Sequence, residues 1–166
     1  RDRDIDATVE KKSPDFDMIK NLAIECRMPF CYGGGVKTVE HAKKIVQLGA
    51  EKVAFSSAAI QDIELLKDVG EAIGNQSVVV VLDYKKSGFF NKLELFINNG
   101  KKSTGTELYD FVKTLNDLNI GELVLNSIDK DGTMEGYDMK VSKKVREIFD
   151  GPLTLLGGAG KIDHIK

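Results

Sequence analysis

Five short, almost continuously apolar runs punctuate the chain: Met28–Tyr32, Lys52–Ser56, Ser77–Asp83, Glu122–Ser127 and Leu153–Leu156. Runs of this length without polar alternation suit strands buried on both faces, as in a parallel sheet. Amphipathic segments separate them. In Val39–Leu48 the apolar residues Val39, Ala42, Ile45, Val46 and Leu48 recur at helical spacing. Similar patterns occupy about Phe16–Cys26, Ala58–Ile73, Glu107–Leu118 and Lys140–Phe149. Strand–helix alternation of this kind predicts βαβ units and an α/β fold.

One connection breaks the alternation. Ser87–Lys102 carries Phe89, Phe90, Leu93, Leu95 and Phe96, then Asn98-Asn99-Gly100, which predicts a β-hairpin inserted after the strand ending at Asp83. The chain's 166 residues suffice for one domain with a real core but are short for a complete eight-stranded barrel. A formal net charge of −2 gives no global basic field for nucleic acid or an anionic membrane. The clusters Lys85–Lys86 and Lys101–Lys102 read as solvated surface. No apolar run approaches the roughly 20 residues needed to span a bilayer, and no leader peptide is recognisable. Cys26 and Cys31 lack a second Cys or His pair at zinc spacing, so they read as buried thiols in a reducing compartment.

The chemistry-bearing residues follow strands and precede helices, where ligands gather in parallel α/β folds. Gly33-Gly34-Gly35 offers no Cβ to block a phosphate, its N–H groups can face the anion, and the next helix start adds a favourable dipole. Gly157-Gly158-Ala159-Gly160 repeats the arrangement. A tight turn explains either run alone; two such runs after two apolar strands favour phosphate binding. The chain also echoes itself at an offset of about 124 residues. Asp4-Ile5-Asp6-Ala7-Thr8 precedes the first glycine loop as Ser127-Ile128-Asp129-Lys130-Asp131-Gly132-Thr133 precedes the second, which suggests two similar halves.

Ser56 and Ser57 can donate hydroxyls to a phosphate or cap the helix that follows. Gly132 and Thr133 can serve a second phosphate or form an Asp-Gly turn. Asp83 closes Val78-Val79-Val80-Val81-Leu82, the most apolar strand pattern. A carboxylate there is partly desolvated, which raises its pKa and suits proton transfer. A capping or ion-paired aspartate is the level alternative by position alone. Asp4, Asp6, Asp129 and Asp131 add carboxylates at strand ends, able to bind sugar hydroxyls or bridge to lysines. Nothing marks out a metal cage, and no cofactor is called for. His41 and His164 read as surface helix residues.

Taken together, these motifs resemble the cyclase subunit family of imidazole glycerol phosphate synthase, HisF. The resemblance runs in order from Asp4-Ile5-Asp6-Ala7-Thr8 through Tyr32-Gly33-Gly34-Gly35 and Lys52-Val53-Ala54-Phe55-Ser56-Ser57-Ala58-Ala59. It continues through Gln76–Asp83, Ser127–Thr133 with Gly136-Tyr137-Asp138, and Gly157–Lys161. It implies a (β/α)8 TIM barrel, here a single incomplete domain over residues 1–166, from about the end of the second strand through the seventh. It also implies a cytoplasmic enzyme of histidine biosynthesis. That enzyme takes ammonia from a glutaminase partner (a HisH-like subunit, forming a heterodimer) and acts on a phosphoribulosyl formimino substrate with a phosphate at each end. The products are imidazole glycerol phosphate and aminoimidazole-carboxamide ribonucleotide.

By the same resemblance Asp83 matches one of two catalytic aspartates. Gly35 and Ser57, with neighbours Gly34 and Ser56, match one phosphate site; Gly132, Gly157 and Gly158 match parts of the other. Asp131 matches a substrate-region carboxylate, with Asp4 and Asn126 as further substrate-binding positions. Lys52 and Glu122 match charged residues gating the ammonia entrance, and Glu51 would sit near the glutaminase. The sequence departs from the pattern in several places. The other catalytic aspartate and the eighth strand have no counterpart here, which leads to the expectation of a truncated chain that is inactive alone. Asn126 stands at a family hydroxyl and Leu156 at a family serine. Glu25-Cys26-Arg27-Met28-Pro29, Cys31-Tyr32-Gly33 and Leu125-Asn126-Ser127 are similar to a HisF-like branch from surface-polysaccharide gene clusters, which implies ammonia supply for sugar amidination instead. A phosphate-binding fragment without catalysis is the non-enzyme alternative.

Overall fold

The structure, a computed structural model, describes residues 13–25, 28–88, 92–161 and 163. The described elements run in the order α1 (Phe16–Glu25), β1 (Cys31–Gly33), α2 (Val39–Gln47), β2 (Lys52–Phe55), α3 (Ser57–Gln61), α4 (Ile63–Ile73), a 3-10 turn (Asn75–Ser77), β3 (Val78–Ser87), β4 (Lys92–Ile97), β5 (Lys102–Glu107), α5 (Leu108–Asp117), β6 (Glu122–Ser127), α6 (Met139–Arg146) and β7 (Leu153–Leu156). They fall into two units, Arg1–Val80 and Val81–Lys166.

In the first unit β1, β2 and the opening of β3 form a parallel ladder, with Gly33 opposite Ala54 and Phe55 opposite Val80. Its core gathers Ile19, Ile45, Val53, Phe55, Leu66 and Val69, each at most 2% exposed. The expected helix over Ala58–Ile73 is two helices. Asp62 takes extended backbone angles and its carboxylate accepts from Leu65 N, so the residue ends one helix and caps the next. The first strand is shorter than the apolar run that predicts it and begins at Cys31. Cys31 is exposed, contrary to the buried thiol expected. Side chains alternate across a strand, and it is the neighbouring Tyr32 that turns into the core, where its hydroxyl accepts from Asp15 N. Cys26 lies outside the described residues.

In the second unit β3 does not stop at Asp83 but continues to Ser87, pairing antiparallel with β4, which pairs with β5. The predicted hairpin is therefore present, and it extends β3 into a three-stranded meander. Its turn places Asn98 and Asn99 at φ 56° and Gly100 at φ 74°, the left-handed conformations a tight hairpin turn requires. β6 lies beside β3, and β7 runs parallel to β6 with Leu123 opposite Leu153 and Asn126 opposite Leu156. Leu82, Leu95, Leu108, Leu115, Leu123 and Val145 are completely buried. The last helix ends at Arg146, short of the Phe149 expected; Phe149 itself turns back into the core.

Candidate functional site

Each glycine loop leaves its parallel strand with two successive residues in glycine's preferred region. Gly34 and Gly35 have φ 127° and 67°; Gly157 and Gly158 have φ 84° and 97°. The predicted echo between the loops thus extends to backbone conformation, although its Asp4–Thr8 arm, with candidate residues Asp4 and Asp6, lies outside the described residues.

In the first unit the ladder fixes the neighbours of the loop. Gly33 opposes Ala54, and a Cβ on Gly33 would sit 3.0 Å from the Ala54 Cβ. The residues just beyond this pair, Gly34-Gly35 and Ser56-Ser57, therefore emerge side by side at the carboxyl ends of β1 and β2. Thr38 caps α2 by accepting from His41 N. Ser56 occupies the cap position of α3 yet its side chain makes no capping bond, so the capping alternative does not account for it. His41 is half-buried rather than on the open surface; its ring meets the Phe16 ring edge-on at 5.9 Å. His164 lies outside the described residues. Lys52 opens β2, half-buried, beside exposed Glu51.

In the second unit two polar pairs lie on opposite faces of the same strands. Asp83 and Asn126 share one face of β3 and β6, where Asn126 Nδ2 donates to Asp83 Oδ1 at 2.7 Å. Burial pushes the Asp83 carboxyl above its ordinary value of 3.8; the bond from Asn126 opposes this, and the charge of Asp131 adds to it. Tyr84 and Ser127, one residue further along each strand, face the other way and are buried. Burial drives the Tyr84 phenol up to about 12, against the hydrogen bond from Ser127 and with added upward pressure from Asp138, Tyr109 and Asp129.

The loop after β6 is built on Ser127, whose carbonyl accepts from Lys130 N and Asp131 N, and on Lys86 N, which donates to Asp129 Oδ2 at 3.0 Å. The turn reading is realised at Gly132 and Thr133: Gly132 has φ 75°, and Thr133 Oγ1 donates to Lys130 O. Gly136 N donates to Gly158 O at 2.7 Å, tying this loop to the one after β7. A Cβ on Gly157 would meet Ser127 O at 2.6 Å, and one on Gly158 would run into Gly136 O. These two glycines are therefore required first for close loop packing, while a Cβ on Gly132 would meet nothing within 4 Å. Glu122 opens β6 and accepts from Thr154 Oγ1 at 2.8 Å. Leu156, opposite Asn126, is 46% exposed.

The sequence reading missed the Asp83–Asn126 bond and the Tyr84–Ser127 pair. Their partners are 43 residues apart in the chain, and only the β3–β6 adjacency brings them together. A signal was present in the polar residues Asn126-Ser127, which follow the apolar run Leu123-Val124-Leu125. Among the described residues no group of three or more His, Cys, Asp or Glu side chains could hold a metal ion. No described helix is long and apolar enough to cross a membrane.

Parallel strands each leading through a polar or glycine-rich loop into a helix, with one inserted hairpin, define a partial (β/α)8 barrel protein. The histidine biosynthesis protein family matches residues 3–166, and the chain belongs to that family. It is 47% identical over 163 residues to a Leptospira borgpetersenii protein provisionally named as subunit HisF of imidazole glycerol phosphate synthase, covering 98% of this chain and 64% of the relative. A Vibrio vulnificus relative provisionally named hisF3 is 46% identical, covering 98% and 62%. The imidazole glycerol phosphate synthase subunit HisF of Pyrococcus furiosus is 36% identical, covering 97% and 63%. The chain thus spans just under two thirds of the length of these relatives.

Proposed function

We propose that this chain is the greater part of a HisF-type cyclase subunit, one incomplete barrel domain of a cytoplasmic enzyme. The full protein would use ammonia from a glutaminase partner to convert a doubly phosphorylated formimino substrate to imidazole glycerol phosphate and aminoimidazole-carboxamide ribonucleotide. The observation that carries the reading is Asp83: a half-buried carboxyl with a raised pKa, hydrogen-bonded by Asn126 and facing Asp131. A carboxyl so tuned is suited to pass a proton during ring closure. Gly34, Gly35, Ser56 and Ser57 would take one phosphate on their N–H and hydroxyl groups. Gly132, Gly157 and Gly158 would contribute main chain to the other, and Asp131 and Asp4 would bind substrate hydroxyls. Lys52 and Glu122 would gate ammonia. The 166-residue chain alone is expected to be inactive, because it spans just under two thirds of the length of the HisF relatives.

One observation favours a second reading, ammonia supply for sugar amidination in surface-polysaccharide synthesis. The chain is 39–47% identical to provisionally named relatives and 36–38% identical to relatives named HisF outright. The test supplies the full-length protein with ammonium salt and the doubly phosphorylated substrate and follows imidazole glycerol phosphate by mass spectrometry. Cyclisation is the expected outcome. Failure of cyclisation, with amidination of a sugar acceptor when the glutaminase is added, selects the second reading. Phosphate binding with neither reaction leaves a non-catalytic module.

A further inference from the structure

Asn126 occupies a position between two strands. Its Nδ2 donates to Asp83 Oδ1 at 2.7 Å on β3, while its Oδ1 lies 3.4 Å from where a Cβ of Gly157 would project, at the end of β7. The amide therefore lies between Asp83 within β3 and Gly157, the first residue after β7. Its backbone is fixed by the β6–β7 register with Leu156, and its neighbour Ser127 is 3% exposed and anchors the following loop. An NH2 group can only donate, and a carboxylate accepts more strongly than a neutral acid. Two groups bear on the same carboxyl from the other side of the balance: the burial of β3, and the charge of Asp131 on the loop after β6.

We propose that Asn126 is a positioning residue that clamps the Asp83 carboxyl through Oδ1, favours its ionised form, and leaves Oδ2 as the oxygen that exchanges a proton with substrate. Asn126 then acts through Asp83, with one of its two amide hydrogens committed to that carboxyl. Gly157 is the third part of the device, since any side chain there would collide with Ser127 O and crowd the amide oxygen. The inference deepens the cyclase reading and shares Asp83 with it, but the clamp is measurable without turnover.

The test is a pH titration by NMR on the intact protein, labelled in its aspartate carboxyls and asparagine amides. In the unaltered protein the Asn126 side-chain NH2 resonances should shift with the same midpoint as the Asp83 carboxyl carbon. Asn126→Leu, close in size but without a donor, should move the Asp83 midpoint upward, and Asn126→Asp should move it further by adding a like charge. Asn126→Gln, which retains the donor, should restore part of the shift. Independent titration of the two groups in the unaltered protein, which needs no variant to fold, overturns the proposal. So does an unchanged Asp83 midpoint in a folded Asn126→Leu protein. Coupled titration in a full-length protein that performs no cyclisation keeps the clamp and removes the cyclase reading.

Discussion

Asp83 is held by opposing forces that can be separated by changing one residue. Its carboxyl is raised above 3.8 chiefly by burial, so the folded protein binds this proton more tightly than the unfolded chain does. The sign follows from linkage: the unfavourable contribution of the charged group is absent below the unfolded value, grows as pH rises from 3.8 through the folded value, and is complete above it. Asp83→Asn removes the titration and retains the size. At pH 7 it should stabilise the protein by about 1 kcal/mol, a rise in melting temperature of roughly 2–4 °C. The gain should vanish below about pH 4, in differential scanning fluorimetry across that range. If Asp83 carries the proton as proposed, the same substitution should lower cyclisation by the full-length protein by at least about a hundredfold. A variant that is less stable at pH 7 would show that the carboxylate is better compensated than its burial implies. The sequence exposed Asp83 through the apolar strand before it. It could not expose the bond from Asn126, because strand order across a crossover leaves no local trace.

At the scale of elements, the two glycine loops look alike in sequence and differ in what makes each glycine necessary. Gly158 combines φ 97° with a Cβ direction blocked by Gly136 O, whereas Gly132 combines φ 75° with open space. Gly132→Ala should therefore cost only the strain of a left-handed alanine, about 1 kcal/mol. Gly158→Ala adds a backbone collision and loss of the Gly136–Gly158 hydrogen bond, and should cost about 3 kcal/mol or more. Urea unfolding of the two variants measures the difference; equal losses would mean that the loops part without resistance. Apolar runs and helical spacing were enough to place the parallel strands and their helices, because burial on both faces leaves a continuous apolar signature. Three features were not legible. Asp62 splits a helix whose periodicity runs on unbroken past it. β3 continues beyond Asp83 through Tyr84, Lys85 and Lys86, where the apolar run has ended. Cys31 faces outward because strand alternation gives the inward direction to Tyr32.

At the scale of the whole protein, the proposed ammonia gate can be tested separately from the proposed phosphate loops. Lys52 opens β2 and Glu122 opens β6, each half-buried at the amino end of its strand, whereas the loops that would hold phosphate follow the carboxyl ends. Charges at the amino ends would take no direct part in chemistry proposed for the carboxyl ends. If the pair gates ammonia, its loss should appear only when ammonia must arrive from a partner. Lys52→Met and Glu122→Gln in the full-length protein with its glutaminase should lower glutamine-dependent turnover by about tenfold, while turnover supported by added ammonium salt changes by less than about twofold. Glu122 also accepts from Thr154 Oγ1, so Thr154→Val serves as the control: it removes that bond without altering charge and should leave the ratio of the two activities nearly unchanged. A parallel fall in both activities would assign Lys52 and Glu122 to folding instead. A fall in the ammonium-supported reaction alone would place them with the substrate and remove the gate.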